Sequence, residues 1–204
     1  MDNPRGAFVP VKGRRFGFSG CAGCEAHCCD GRRGIVFSQI VLEDFEAVYR
    51  HFPILFIFGN LGFAKPVILL TNGRDFCPYL EDFRCTIYEE RPSICRSYPL
   101  SPQIDNQLYI DQDCPAVGDR GAPIVTPEGI APAFDVPTLQ GYQERFLKGH
   151  RLFNEECAPH FKPALTLGQS TFFQIASGLE GPIARWHHAS LKRLKSDYFR
   201  LQGA

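Results

Sequence analysis

The chain is poor in most of the features that announce a function. Its formal net charge is zero, with 22 basic and 22 acidic side chains, so the basic excess of a bulk nucleic-acid binder is missing. The opening residues, MDNPRGAFVPVKGRRFGFSG, contain no continuous apolar stretch of the kind a signal peptide needs. The most apolar run, FPILFIFGNLGFA at 52–64, is broken by Gly59, Asn60 and Gly62. It falls well short of the about 20 residues that span a bilayer. These absences predict a soluble, cytoplasmic protein with no membrane association and no clear nucleic-acid binding. No GxGxxG, P-loop, GxSxG or radical-type CxxxCxxC pattern occurs, so the common nucleotide, acyl-transfer and radical chemistries lack their signatures. No catalytic residue is assigned, and no internal repeat or low-complexity tract is found.

What the chain has instead is sulfur. Of nine cysteines, eight fall into two groups of four. The segment CAGCEAHCCDG, residues 21–31, carries Cys21, Cys24, Cys28 and Cys29. The segment CPYLEDFRCTIYEERPSICRSYP, residues 77–99, adds Cys77, Cys85 and Cys95, and DQDCP adds Cys114. Only Cys157, in ECAPH, is left over, and it reads as a buried thiol. A reducing cytosol and an odd cysteine count argue against a disulfide framework. At 204 residues the chain can bury a core without covalent staples. A pair of four-cysteine groups instead matches thiolate sites for zinc or an iron–sulfur cluster.

The spacing refines this reading. Cys21-x-x-Cys24 lets two thiolates grip one centre, although a redox pair shares the pattern. Cys28 and Cys29 are neighbours, and neighbouring side chains in an extended chain diverge. They are expected to differ in role, either serving two metal sites or leaving one of the pair outside the ligand set. Four thiolates around Zn²⁺ or a [4Fe–4S]²⁺ core leave a doubly negative site, so cations should lie close by. Arg91 and Arg96 flank Cys95, and Arg84 precedes Cys85; the competing reading pairs them with Glu81, Asp82, Glu89 or Glu90. His27 lies inside the tight loop and is expected beside the metal rather than on it. His187-His188 reads as helix surface.

The remaining sequence predicts an α+β fold: a small, irregular cysteine-rich core with short strands and amphipathic helices packed around it. Strands are expected at Ile35–Phe37, Pro66–Leu70, near Phe76 and at Leu108–Ile110, with Asn72-Gly73 closing a hairpin. Val41, Phe45, Val48 and Phe52 form an apolar helical stripe that ends at Pro53. The proline-dense segment 115–137 reads as a wrapping connector. Helices follow at about 139–157 and 180–201, the second with Ile183, Trp186, Leu191, Leu194 and Tyr198 as its apolar face. Residues 1–118 would form the cysteine-rich core with its arm, and 119–204 the connector and helices, packed as one domain. The basic face of the last helix, with Arg185, Lys192, Arg193 and Lys195, reads first as a solvated face; an unknown protein partner on this helix is the alternative.

The order CxxCx₃CC, a further cysteine, CxIYExRPxxCRxYP and a last cysteine resembles the zinc- or iron-chelating domain of the YkgJ-like (CxxCxxCC) proteins over residues 18–118. The piece CTIYEERPSICRSYP is the most specific part, and the three residues between Cys24 and Cys28 depart from the family's two. The resemblance implies metal chelation by Cys21, Cys24, Cys28, Cys29, Cys77, Cys85, Cys95 and Cys114. Tyr88, Arg91, Pro92, Arg96 and Pro99 fall on the motif as supporting residues, with Tyr88, Arg91 and Arg96 as cofactor-binding candidates. A related cluster in flagellin lysine methylases tilts the metal toward iron–sulfur without transferring their activity. The leading expectation is therefore a metal-binding protein holding a [4Fe–4S] cluster, with zinc as the alternative cofactor. Two other classes stay open: a cluster-dependent redox or methyl/group-transfer enzyme, and a structural zinc protein acting as an interaction module.

Overall fold

The computed structural model describes residues 8–21, 24–134 and 137–195, apart from the side chain of Thr138. It has the expected α+β character, and every strand pairing in its ladders is antiparallel. The strands run in chain order as β1 (Phe8–Pro10), β2 (Phe16–Phe18), β3 (Phe37–Gln39), β4 (Ile54–Phe58) and β5 (Ala64–Leu69). Next come the short β6 (Leu80–Glu81) and β7 (Arg84–Cys85), then β8 (Leu100–Pro102), β9 (Leu108–Asp111), β10 (Val117–Gly118), β11 (Ala122–Thr126) and β12 (Gly129–Ile130). A long hairpin of β13 (His160–Leu167) and β14 (Ser170–Ser177) follows. The α-helices are α1 (Phe45–Val48), α2 (Ser93–Ser97), α3 (Tyr142–Arg151) and α4 (Gly181–Ser190).

The chain divides into two compact units, which it enters alternately. Unit 1 holds Cys29–Tyr79 and the chain from Arg145 onward; unit 2 holds the chain up to Cys28 and Leu80–Glu144. Residues 118 and 119 both belong to unit 2.

Unit 1 is built on a five-stranded sheet of order β13-β14-β4-β5-β3. Leu55, Val67, Leu69, Leu167 and Phe172 form its apolar centre, with Leu191 and Leu194 packed on it. The predicted stripe of Val41, Phe45, Val48 and Phe52 is fully buried. The helix carrying it is shorter than expected: a 3-10 turn at Leu42–Asp44 leads into the single turn of α1. Asp44 caps that entry by accepting the Val41 N–H at 3.0 Å. Gly168, at φ +55°, opens the two-residue loop between β13 and β14, a conformation that favours glycine. Pro163 is tolerated because β13 is an edge strand, and the register shifts beside it.

Several expectations are corrected in unit 1. The 35–37 strand begins two residues later, at Phe37. Asn72-Gly73 closes no hairpin: Asn72 Oδ1 accepts the N–H groups of Arg74 and Asp75, both at 2.9 Å, so the side chain bends the loop itself. The strand near Phe76 is reduced to a single bridge with Asp30. His187 is not on the surface but wholly buried. On α4 the buried face is Ala184, His187 and Ser190, and the polar atoms of His187 and Ser190 answer backbone groups of the sheet. Ile54 N–H donates to Ser190 Oγ at 2.9 Å. Ile175 N–H donates to His187 Nε2 at 3.0 Å. Nε2 must then be bare, so Nδ1 carries the proton and donates to the Ile54 carbonyl at 3.0 Å. Ile183 and Trp186 are half-buried, and Tyr198 lies outside the described residues. Cys157 is exposed, not buried; it follows the π-turn Leu152–Glu156, whose buried side chain is Phe153.

Unit 2 contains the sheets β1-β9-β8 and β10-β2-β11-β12, around Phe16, Leu100, Ile110, Ile124 and Val125. The segment read as a connector, 115–137, supplies β10, β11 and β12. Glycine makes this possible: a Cβ at Gly17 would meet the Arg120 carbonyl oxygen at 2.3 Å, and one at Gly121 the Phe18 carbonyl oxygen at 2.3 Å. Among the described residues no helix is long and apolar enough to cross a membrane.

Burial and the neighbouring His188 lower the His187 pKa from 6.5 to about 4. A depressed imidazole pKa means that the unfolded chain takes up the proton first. The contribution is therefore complete above about pH 6.5 and is lost as pH falls toward 4, by about 3 kcal/mol. Urea unfolding at a series of pH values should show His187→Gln less stable than wild type at pH 7, with the gap closing between pH 6.5 and 4.

Candidate metal centre

Six of the eight predicted ligands belong to unit 2: Cys21, Cys24, Cys28, Cys85, Cys95 and Cys114. Each is set in place by local backbone chemistry. After β2, the Ser19 N–H donates to the Ala116 carbonyl at 2.9 Å, which ties the approach to Cys21 to the turn after Cys114. The Cys24 N–H donates to the Cys21 carbonyl at 3.2 Å, folding the CxxC segment back on itself. Ala26 is buried at φ +53°, a conformation that costs an alanine about 1–2 kcal/mol. It turns the chain into the 3-10 turn His27–Cys29 that carries Cys28.

Cys85 ends the small β6–β7 hairpin opposite Leu80, with Asp82 and Phe83 both at positive φ in its tip, as a two-residue I′ turn requires. Cys95 sits in α2, its N–H bonded to the Pro92 carbonyl at 2.9 Å. Cys114 follows β9 in a turn that Asp111 organises. Asp111 Oδ1 accepts the Asp113 N–H at 3.0 Å, and its carbonyl accepts the Cys114 N–H at 3.3 Å.

These segments bring the thiols within electrostatic reach of one another. Desolvation, then Cys28 and Cys24, raise the Cys21 pKa, while Arg91 works against them. Desolvation, then Cys28 and Cys85, push Cys95 up to about 12, again opposed by Arg91. Desolvation raises Cys114, with Cys24 and Cys28 adding to the effect; bonds from the Ala116 backbone and the Tyr98 side chain oppose it. Cys28 recurs in all three and is the hub of the group. Among the described residues no group of three or more His, Cys, Asp or Glu side chains is placed so that it could hold a metal ion.

Arg91 and Arg96 are anchored by carbonyls. Arg91 Nε donates to the Tyr88 carbonyl at 2.7 Å, and its guanidinium lies 3.5 Å from the centre of the Tyr88 ring. Arg96 Nε donates to the Arg91 carbonyl at 2.9 Å and another nitrogen bonds the Glu89 carbonyl. Arg96 thus splints the segment that holds Arg91, and Arg91 is the cation felt by Cys21 and Cys95. His27 is half-buried, with Nε2 3.9 Å from the exposed Glu25 carboxylate. Its Nδ1 is buried and has no hydrogen-bond partner, which is costly for a ring nitrogen.

Cys29 and Cys77 belong to unit 1. The Cys77 N–H donates to the Cys29 carbonyl at 2.7 Å, beside the Asp30–Phe76 bridge. Asp30 is buried and takes a two-point bond from Arg32, at 2.9 and 3.0 Å, while the Arg32 guanidinium stacks 4.1 Å over Phe76. A Cβ at Gly31 would lie 1.9 Å from the Asp75 carbonyl oxygen, so only glycine permits this approach.

Sequence reasoning passed over Tyr98 and Asp111. Tyr98 Oη donates to Asp111 Oδ2 at 3.0 Å, and the pair braces α2 against the end of β9, beside Cys114. Burial, then the Asp111 charge, raise the Tyr98 pKa far above its ordinary value. Their only signal was position, each three residues from a candidate ligand.

The residue types, though not their present arrangement, suit a soft metal centre. Thiolates select zinc and iron–sulfur clusters, the unit 2 thiols exceed the four that such a centre needs, and Nδ1 of His27 is a buried nitrogen left without a partner. No family model and no solved structure matches the chain.

Two substitutions test this positioning. Gly31→Ala should destabilise the protein by about 3 kcal/mol through backbone overpacking, read as a lower denaturant midpoint. Tyr98→Phe leaves the buried Asp111 carboxylate short of a donor and should cost about 1–3 kcal/mol, measured in the same way.

Proposed function

We propose that the protein is a metal-binding protein that holds an iron–sulfur cluster, of the [4Fe–4S] type, through cysteines of unit 2. The observation that carries this reading is the gathering of Cys21, Cys24, Cys28, Cys85, Cys95 and Cys114 from four separate segments around Cys28. Grouped thiols oppose each other's ionisation, Arg91 offsets this only in part, and a soft cation is what allows them to ionise together. The sequence likeness to the YkgJ-like domains supports the same class, and zinc is the alternative occupant.

A bound cluster would supply one-electron redox chemistry. The chain's own part is the rest. The thiols provide the ligands, Arg91 offsets the negative charge left on them, and Arg96 holds Arg91 in place through the Glu89 and Arg91 carbonyls. Tyr98, its hydroxyl bonded to Asp111, braces the chain beside Cys114. Since the thiols must lose protons to bind, uptake should strengthen with rising pH.

Purification without oxygen, followed by iron, acid-labile sulfide and zinc analysis, tests the proposal. Near-equal iron and sulfide are expected in the wild type, with at least a several-fold loss in Cys28→Ser and none in Cys157→Ser. Stoichiometric zinc in a colourless protein would select zinc over the cluster. A folded, metal-free protein would remove the reading.

A further inference from the structure

We infer that Cys29 and Cys77 form a dithiol–disulfide couple in unit 1, separate from the cluster ligands. Cys77 N–H donates to the Cys29 carbonyl at 2.7 Å, and the adjacent residues Asp30 and Phe76 make an antiparallel bridge. This register sets Cys29 and Cys77 directly opposite each other. Cys29 itself ends the 3-10 turn His27–Cys29, and the N–H···O bond brings its backbone alongside that of Cys77. Disulfides span Cα separations of about 4.4–6.8 Å, a range that includes the separation of two residues joined by such a backbone bond.

The bridge is held from both sides. Gly31 is pressed against the Asp75 carbonyl. Asn72 fixes the 72–75 loop through Arg74, Asp75 N–H and the Asp75 carboxylate. Arg32, locked to Asp30, covers the Phe76 ring. The two sulfurs also differ in access. Cys29 is half-buried and Cys77 is buried at 8 % exposure, which gives them an order of reaction.

The oxidant is a small-molecule disulfide of the glutathione class. The Cys29 thiolate, having lost its proton to solvent, attacks one glutathione sulfur, forms a mixed disulfide and expels one glutathione thiolate. The Cys77 thiolate then attacks the Cys29 sulfur, forms the protein disulfide and expels the second glutathione. The two thiolates that leave take up the two protons. The protein pair is oxidised by two electrons and glutathione disulfide is reduced by two. Buried Cys77 suits the second step, because its attack needs only the neighbouring sulfur and no entry of the oxidant.

The test uses the full-length protein, equilibrated without oxygen in a graded series of reduced-to-oxidised glutathione ratios, alkylated and mapped by peptide mass spectrometry. A Cys29–Cys77 cross-linked peptide should accumulate as the ratio falls and disappear on return to excess reduced glutathione. In Cys77→Ser the cross-link should be replaced by a glutathione adduct on Cys29. Metal content should be unchanged in Cys29→Ser and Cys77→Ser. Alkylation of both cysteines at every ratio would overturn the inference. So would pairing of Cys29 with any other cysteine, or loss of metal in both variants, which would make the two residues ligands. If neither variant folds, the wild-type map decides alone. A metal-free wild type would defeat the cluster proposal and leave the cross-link map fully readable.

Discussion

Like charges that are gathered and partly withdrawn from water set the central constraint on this protein. In unit 2, the thiols of Cys21, Cys95 and Cys114 are each made harder to ionise by burial and by other cysteines. Such a group is unfavourable as a set of thiolates and unremarkable as a set of thiols. Only a cation makes the ionised set stable. Arg91 supplies part of that charge from a fixed position over Tyr88, and the proposed metal supplies the rest. The turns of unit 2, from Ala26 to Asp111, place the segments that carry these cysteines.

The fold distributes its cysteines between two bodies whose stability has different origins. Unit 1 rests on a five-stranded sheet with a continuous apolar centre and a buried histidine that joins α4 to β4 and β14. Unit 2 has smaller sheets, an apolar centre of its own and many polar turns around the thiols. The peptide bond between Cys28 and Cys29 is also a boundary between the units.

Periodicity and composition made a large part of this legible in advance. The stripe of Val41, Phe45, Val48 and Phe52 and the apolar run that became β5 could be read directly, since a single period or an unbroken apolar stretch specifies a buried face. The candidate ligands were legible as residue type and spacing, whereas the turns that place them, such as those at Ala26 and Asp111, follow no sequence period. The misreadings share a cause: the deciding partner is remote in sequence or lies in the backbone. Asn72-Gly73 resembles a hairpin turn until the Asn72 side chain takes the N–H groups ahead of it. His187 resembles surface until Ile54 and Ile175 offer one acceptor and one donor. Residues 115–137 resemble a connector until Gly17 and Gly121 allow strands to approach. Cys157 looked buried by residue type, but the buried position of its turn belongs to Phe153.

The central claim concerns Cys28, which is exposed on the protein surface yet electrostatically linked to three other candidate ligands. The most direct measurement is the alkylation rate of each cysteine in protein isolated without oxygen, before and after a strong chelator. The account predicts that Cys28 resists alkylation as isolated, despite its exposure, and reacts readily once the metal is removed, while exposed Cys157 reacts equally in both states. Rapid alkylation of Cys28 in the isolated protein, at a rate the chelator does not change, would contradict it.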